Sequence, residues 1–119
     1  MACRVWKLRI TDVMQSTIFG VHTSDISDSP KMATRFDYDS FFGTVLNRFV
    51  VQAVMGHELT VYGTGHQRTG LMALEDAVES LARLTIAPDC PRPEAGEHQV
   101  INNVTEKNFS INEIALLVQ

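Results

Sequence analysis

The stretch Val61–Gly70, VYGTGHQRTG, sets Gly63, Gly65 and Gly70 around His66, Gln67 and Arg68, after an apolar run and before a helix-like one. Strand, glycine loop, helix is the order that cradles phosphates, because glycines let backbone N–H groups approach an anion at a helix N-terminus. The spacing matches neither form of that motif. A dinucleotide fingerprint needs its third glycine three residues after the second, and a phosphate loop needs a Lys-Ser or Lys-Thr pair. Turn requirements alone produce such loops, so phosphate binding by spacing is the minority reading. Arg68 is the strongest anion donor here, through its planar fork.

Other clusters are weaker. Asp25, Asp28, Asp37 and Asp39 offer oxygen ligands, but not at the spacing of a calcium loop, and no bidentate Glu follows at the right distance. His22, His57, His66 and His98 are dispersed and form no His-x-x-x-His pair for zinc. Cys3 and Cys90 are too few for a disulfide framework and lack metal-ligand spacing. There is no Gly-x-Ser-x-Gly elbow. Solvated loops and incidental thiols account for these residues, and no metal is expected.

The chain of 119 residues, 45% of them hydrophobic, has the size of one domain with a core. A net charge of −4 with scattered Lys and Arg argues against nucleic acid as the main partner. Apolar runs such as IALLV are too short to span a bilayer, and MACRVWKLRI lacks the pattern of a signal peptide. The cytoplasm is therefore the expected location.

Trp6 to Thr11 alternates apolar and polar residues, which predicts a strand continuing towards STIFGV. Residues 21–39 are polar and predict a long, mobile loop. From Phe41, the residues Phe42, Val45, Leu46, Phe49, Val50, Ala53 and Val54 keep helical spacing. Asp39 or Ser40 can cap that helix, and Gly56 suits its C-terminal end. Leu59–Tyr62 and Val100–Val104 read as strands. Leu74, Ala77, Val78, Leu81 and Ala82 predict a second helix, stopped near Pro88. Ser110 and Glu113 form a capping box for a third, with Ile111, Ile114, Ala115 and Val118 on one face. The expected class is α/β or α+β: a single domain over residues 1–119, of short strands and about three helices.

Three stretches carry a resemblance: WKLRITDVMQSTIFGV, RFDYDSFFGTVLNRFVVQAVMGHELTVYGTGHQRTG and INNVTEKNFSINEIA. They resemble the UDP-sulfoquinovose synthase branch of the extended short-chain dehydrogenase/reductases, within the NAD-dependent epimerase/dehydratase superfamily. The similarity covers nearly all of this chain, but only the part of the family that follows the catalytic tyrosine. That family holds NAD on an N-terminal Rossmann sheet by a glycine fingerprint, and a Tyr-x-x-x-Lys pair removes the proton as hydride leaves the sugar. Neither motif occurs in these residues: Phe42 stands four after Tyr38, and His66 four after Tyr62. Hydride chemistry needs both a cofactor and a tuned base, so no catalytic residue, no cofactor and no activity of the chain alone are expected.

What the resemblance implies for binding comes residue by residue. Gln15 matches a polar position lining the nicotinamide and sugar pocket, although Met14 replaces the preceding family Asn. Arg35, Asp37 and Tyr38 match the substrate-loop signature, and Asn47 and Arg48 the helix that follows. Thr60, Val61 and Tyr62 match the strand that lies along the uracil in related enzymes. The family then reads Gln-x-Arg, its Arg clamping the phosphate, whereas Gln67-Arg68-Thr69 stands here. On extended backbone a one-residue shift turns a side chain to the other face, and a bidentate clamp does not survive that. Asn102, Thr105 and Glu106 match a late loop.

Two functions remain open. One is a freestanding, non-catalytic homologue of the family's substrate-side lobe, a homo-oligomer binding a nucleotide-sugar-like ligand or a partner. The other is one component of a split enzyme completed by a separate Rossmann partner.

Overall fold

The computed structural model describes residues 2–119. It is a mixed α/β structure with two small sheets. Helix α1 (Ala2–Trp6) leads into β1 (Ile10–Gln15) and β2 (Thr17–Phe19), followed by the short α2 (Ser24–Asp28) and a 3-10 turn, Pro30–Met32. Then come α3 (Val45–Val54), β3 (Arg68–Ala73), α4 (Leu74–Ile86), β4 (His98–Asn103), β5 (Asn108–Ser110) and α5 (Ile111–Val118). The three helices expected from spacing are α3, α4 and α5. The five-residue α1 and α2 are additional, and α2 lies within the segment read as loop.

β1 and β4 pair in parallel, from Ile10 opposite His98 to Gln15 opposite Asn103. β3 is the middle strand of the second sheet, parallel to β2 and antiparallel to β5. Ser16 alone separates β1 from β2, yet the two strands belong to different sheets. Asn103 Nδ2 donates to Ser80 Oγ at 2.7 Å and so ties β4 to α4.

The core lies where α3 crosses α5. Phe49 and Ile114 are fully enclosed, with Ile111 and Ala115 beside them. Val45, Leu46, Leu59, Val61, Leu71, Phe109 and Val118 close the rim. Away from this cluster many apolar side chains face solvent, among them Trp6, Met14, Val54, Val100 and Leu116. The radius of gyration is 17.9 Å, against about 13.5 Å for a compact domain of this length. The elements form an open shape rather than a closed globule.

Several sequence expectations shift. Trp6 ends α1 instead of opening a strand: Leu8 N donates to Cys3 O, Lys7 takes a positive φ of 53°, and the strand starts at Ile10. The alternation there belongs to a helix tail and its reversal. The α3 cap is Thr44, whose Oγ1 accepts from Asn47 N at 3.2 Å. Asp39 instead caps a separate turn, its Oδ1 accepting from Phe41 N and Phe42 N at 2.7 and 2.8 Å. Those two bonds, and then the Arg35 charge, hold the Asp39 carboxyl below the usual range. Gly43 closes that turn, because a Cβ there would lie 2.5 Å from Asp39 O.

Leu59–Tyr62 is not a strand. Its backbone partners are side chains of α3: Gln52 Oε1 accepts from Thr60 N at 3.1 Å, and Arg48 Nη2 donates to Thr60 O at 3.4 Å. The glycine loop precedes a strand, β3, and only then comes a helix. Other expectations hold. Gly56 (φ 70°) ends α3 with the paired bonds of a Schellman motif, His57 N to Gln52 O and Gly56 N to Ala53 O. α4 ends at Ile86, two residues before Pro88. Both halves of the Ser110–Glu113 capping box form.

Candidate functional site

The glycine loop is folded onto the start of α5. Ile111 N donates to Gln67 O at 3.2 Å and Asn112 N to Gly65 O at 3.1 Å. Asn112 Nδ2 adds a bond to Thr64 O at 3.1 Å. Gly63 and Gly65 turn the chain with φ of 68° and 70°, which L side chains rarely adopt. A Cβ on Gly65 would stand 2.0 Å from Asn112 Oδ1. The first free N–H groups of α5, which could meet an anion, are thus taken by carbonyls of the loop. The glycines serve this docking; they make no phosphate cradle at α5.

Next to the loop, α3 holds the Thr60–Tyr62 segment by a polar edge. Arg48 and Gln52, one turn apart, both reach Thr60, and Gln52 Nε2 also donates to Thr60 Oγ1 at 2.8 Å. The Arg48 guanidinium lies over the Tyr62 ring, 4.6 Å from its centre, a distance for cation–π attraction. Arg48 Nε is buried with no protein partner. Gln67 Nε2 donates to Tyr62 O at 3.0 Å, so Thr60, Tyr62 and Gln67 form one connected surface.

Arg35, Asp37, Tyr38 and Asn47 make a second group at the start of α3. Arg35 pairs with Asp37 and lies 4.0 Å from Asp39, and Asn47 Nδ2 donates to Asp37 O at 2.9 Å. Tyr38 is exposed. Asn47 and Arg48 are adjacent on α3, which links the two groups through the helix. Gln15 ends β1, exposed and without a hydrogen bond to either group among the described residues.

Arg68 is directed elsewhere. It donates to Asn108 O at 2.5 Å and lies 3.4 Å from Glu113 Oε2. Glu113 is held below its ordinary pKa, first by the Ser110 N–H and hydroxyl and then by the Arg68 and Lys107 charges. Thr69 faces the other way, its Oγ1 3.0 Å from Thr17 Oγ1. The sequence reading left Gln52 out. Its signal was available in the i, i+4 spacing from Arg48, one turn along the same face.

Two concavities lie apart from these residues. One, of about 1080 Å³, is lined by Cys3, Arg4, Arg92 and His98, among others. The other, of about 350 Å³, lies between α4 and β4. Among the described residues no group of three His, Cys, Asp or Glu is placed to hold a metal ion. Cys3 and Cys90 are free. No helix among them is long and apolar enough to cross a membrane.

No protein-family profile matches the chain. It is 42% identical over 116 residues to the chloroplastic UDP-sulfoquinovose synthase of Spinacia oleracea, covering 98% of this chain and 23% of that protein. It is 39% identical over 115 residues to UDP-sulfoquinovose synthase of Sulfolobus acidocaldarius, covering 97% of this chain and 28% of that one. This chain is related to the C-terminal part of the epimerase/dehydratase superfamily. It spans about a quarter of the length of those curated relatives. Among solved structures, UDP-glucose 4-epimerase from Thermotoga maritima with UDP-glucose superposes with a TM-score of 0.69 at 19% identity. That match covers 98% of this chain and 30% of the epimerase. At that identity the likeness concerns the fold.

Proposed function

We propose that the chain is a non-catalytic relative of the substrate-side part of a nucleotide-sugar epimerase/dehydratase, acting as an oligomeric protein that binds a nucleotide-sugar-like ligand. The observation that carries this reading is the surface formed by Arg48, Thr60, Tyr62 and Gln67. An aromatic ring backed by a guanidinium and flanked by backbone polar groups suits a planar base. The buried, unpartnered Arg48 Nε supplies a donor without a protein acceptor. The Thermotoga neighbour bound to UDP-glucose supports this ligand class. Extensive apolar exposure supports self-association.

Thermal shift with UDP-glucose, UDP and NAD tests the ligand. A ligand at 100 times its dissociation constant stabilises by about 2.7 kcal/mol. UDP and UDP-glucose should both raise the melting temperature while NAD leaves it unchanged. Silence from both uridine ligands would remove the reading.

A second reading rests on length. The chain spans about a quarter of those relatives; on this reading it is one component of a split UDP-sugar-modifying enzyme completed by a separate Rossmann partner. A neighbouring upstream frame ending in Tyr-x-x-x-Lys would support it, and unrelated upstream sequence would count against it.

A further inference from the structure

Thr60 is held by α3 at each of its polar groups. Gln52 Oε1 accepts from Thr60 N at 3.1 Å, Gln52 Nε2 donates to Thr60 Oγ1 at 2.8 Å, and Arg48 Nη2 donates to Thr60 O at 3.4 Å. The orientation of the Gln52 amide is thereby determined. A backbone N–H can only donate, so the amide oxygen faces Thr60 N and the amide nitrogen faces the hydroxyl. The Thr60 hydroxyl must accept from Gln52, and its own proton is turned away from that amide. Among the described residues Thr60 Oγ1 makes no other hydrogen bond.

That hydroxyl shares a face with the Tyr62 ring. Leu59 and Val61 pack against the core while Thr60 and Tyr62 are exposed, the alternation of an extended segment. A base lying against the Tyr62 ring has its exocyclic groups within reach of the hydroxyl. The carbonyls of both exposed residues are already engaged, Thr60 O by Arg48 and Tyr62 O by Gln67 Nε2. Arg48 Nε, buried and without a protein partner, is a donor as well. Both free groups ask for an acceptor on the ligand.

We propose that Gln52 is a positioning residue that sets the hydrogen-bonding sense of this surface. By fixing the Thr60 hydroxyl as a donor, it selects a base that presents a carbonyl oxygen there over one that presents an amino group. This rests on the nucleotide-binding reading above and names what discriminates within it. An amino group would set two donors against each other, and a site built for one sense rejects the other because mismatched polar groups are left unpaired. Uracil and cytosine differ in this way at one exocyclic group and the ring nitrogen beside it, so UDP and CDP are the probes.

Isothermal titration calorimetry with UDP and CDP reads the ratio of the two affinities, in which effects on the shared ribose and diphosphate cancel. The wild-type chain should prefer UDP about tenfold. Gln52→Glu keeps the shape of the side chain but offers only acceptors at neutral pH, so Thr60 N and Thr60 Oγ1 both donate to it. The hydroxyl then presents lone pairs to the ligand, and the preference for UDP should vanish or invert. Thr60→Val should abolish the preference and Thr60→Ser should retain it, which decides the matter even where Gln52→Glu does not fold. A preference that survives either Gln52→Glu or Thr60→Val would overturn the inference: Gln52 would then only hold the segment, and the hydroxyl would not read the base. Equal affinities in the wild-type chain would overturn it too, while leaving the nucleotide-binding reading intact. Binding of neither nucleotide would overturn both.

Discussion

Arg68 and Glu113 meet across the junction of β3 with α5, Nη2 to Oε2 at 3.4 Å. Arg68 stands opposite Ser110, the N-cap of α5, in the β3–β5 register. The guanidinium therefore arrives beside the capping box and also takes the Asn108 carbonyl. An exposed ion pair of this kind contributes less than about 1 kcal/mol, and the hydrogen bond adds a similar amount. Arg68→Ala should lower the melting temperature by about 4 °C and leave UDP-glucose affinity unchanged. Thr69→Arg, whose side chain starts on the Thr17 face, should instead tighten UDP-glucose binding, read by calorimetry. Loss of affinity in Arg68→Ala with unchanged melting would mean that Arg68 serves the ligand.

Gly65 is the residue on which the loop's docking turns. Its φ of 70° and the 2.0 Å approach of Asn112 Oδ1 to a would-be Cβ are separate obstacles to any side chain. Gly65→Ala should destabilise by about 2 kcal/mol or more in chemical denaturation. Adding Asn112→Ala removes the clash but not the dihedral strain, so the double variant should recover only part of the loss. Full recovery would show that backbone conformation contributes nothing there.

How much of this was legible follows from the range of each signal. The Ser110–Glu113 box and the Gly56 terminus are written within a few residues, and both appear as the sequence implies. Leu59–Tyr62 has the composition of a strand, but its partners are Arg48 and Gln52, 8 to 12 residues away. No local pattern distinguishes that from a ladder. The sequence pointed to Asp39 or Ser40 as the cap of α3, whereas Thr44 caps it, because periodicity does not fix the turn on which a helix starts. Gly43, pressed against Asp39 O, separates the Asp39 turn from the helix that Thr44 caps. The surface joining Thr60, Tyr62 and Gln67 was reached through resemblance. The i, i+4 spacing from Arg48 marks Gln52 on the same face of α3, but it does not name Thr60 as the partner.

The capping box also gives α5 a pH dependence with a definite sign. Glu113 has a folded-state pKa lowered by the Ser110 N–H and hydroxyl and by nearby positive charge. A depressed carboxyl stabilises the fold above its unfolded pKa, and that contribution is lost as the pH falls through the folded value. Stability should therefore decline below the ordinary glutamate range, about pH 4.3. Glu113→Gln should flatten this part of the profile, although Asp39, lowered for a similar reason, keeps some slope. Ser110→Ala should cost about 1 kcal/mol at neutral pH. An unaltered acid limb in Glu113→Gln, followed by circular dichroism, would remove Glu113 from this role.

Arg48 separates a structural from a binding role for the Tyr62 surface. Its guanidinium stacks on Tyr62 and reaches Thr60 O, while Nε remains buried and unpaired. Lysine keeps the charge but loses the planar fork and the Nε donor. If the surface holds a base, Arg48→Lys should weaken UDP about tenfold, the equivalent of 1.4 kcal/mol. Its effect on melting should be small, since an exposed cation–π contact contributes about 0.5–1 kcal/mol. Tyr62→Leu should weaken UDP as well, because it removes the ring while retaining apolar bulk, whereas Tyr62→Phe should retain binding through its ring. A variant set in which melting falls in step with affinity would assign Arg48 to holding the Thr60–Tyr62 segment. Affinity lost at constant melting temperature would assign it to the ligand.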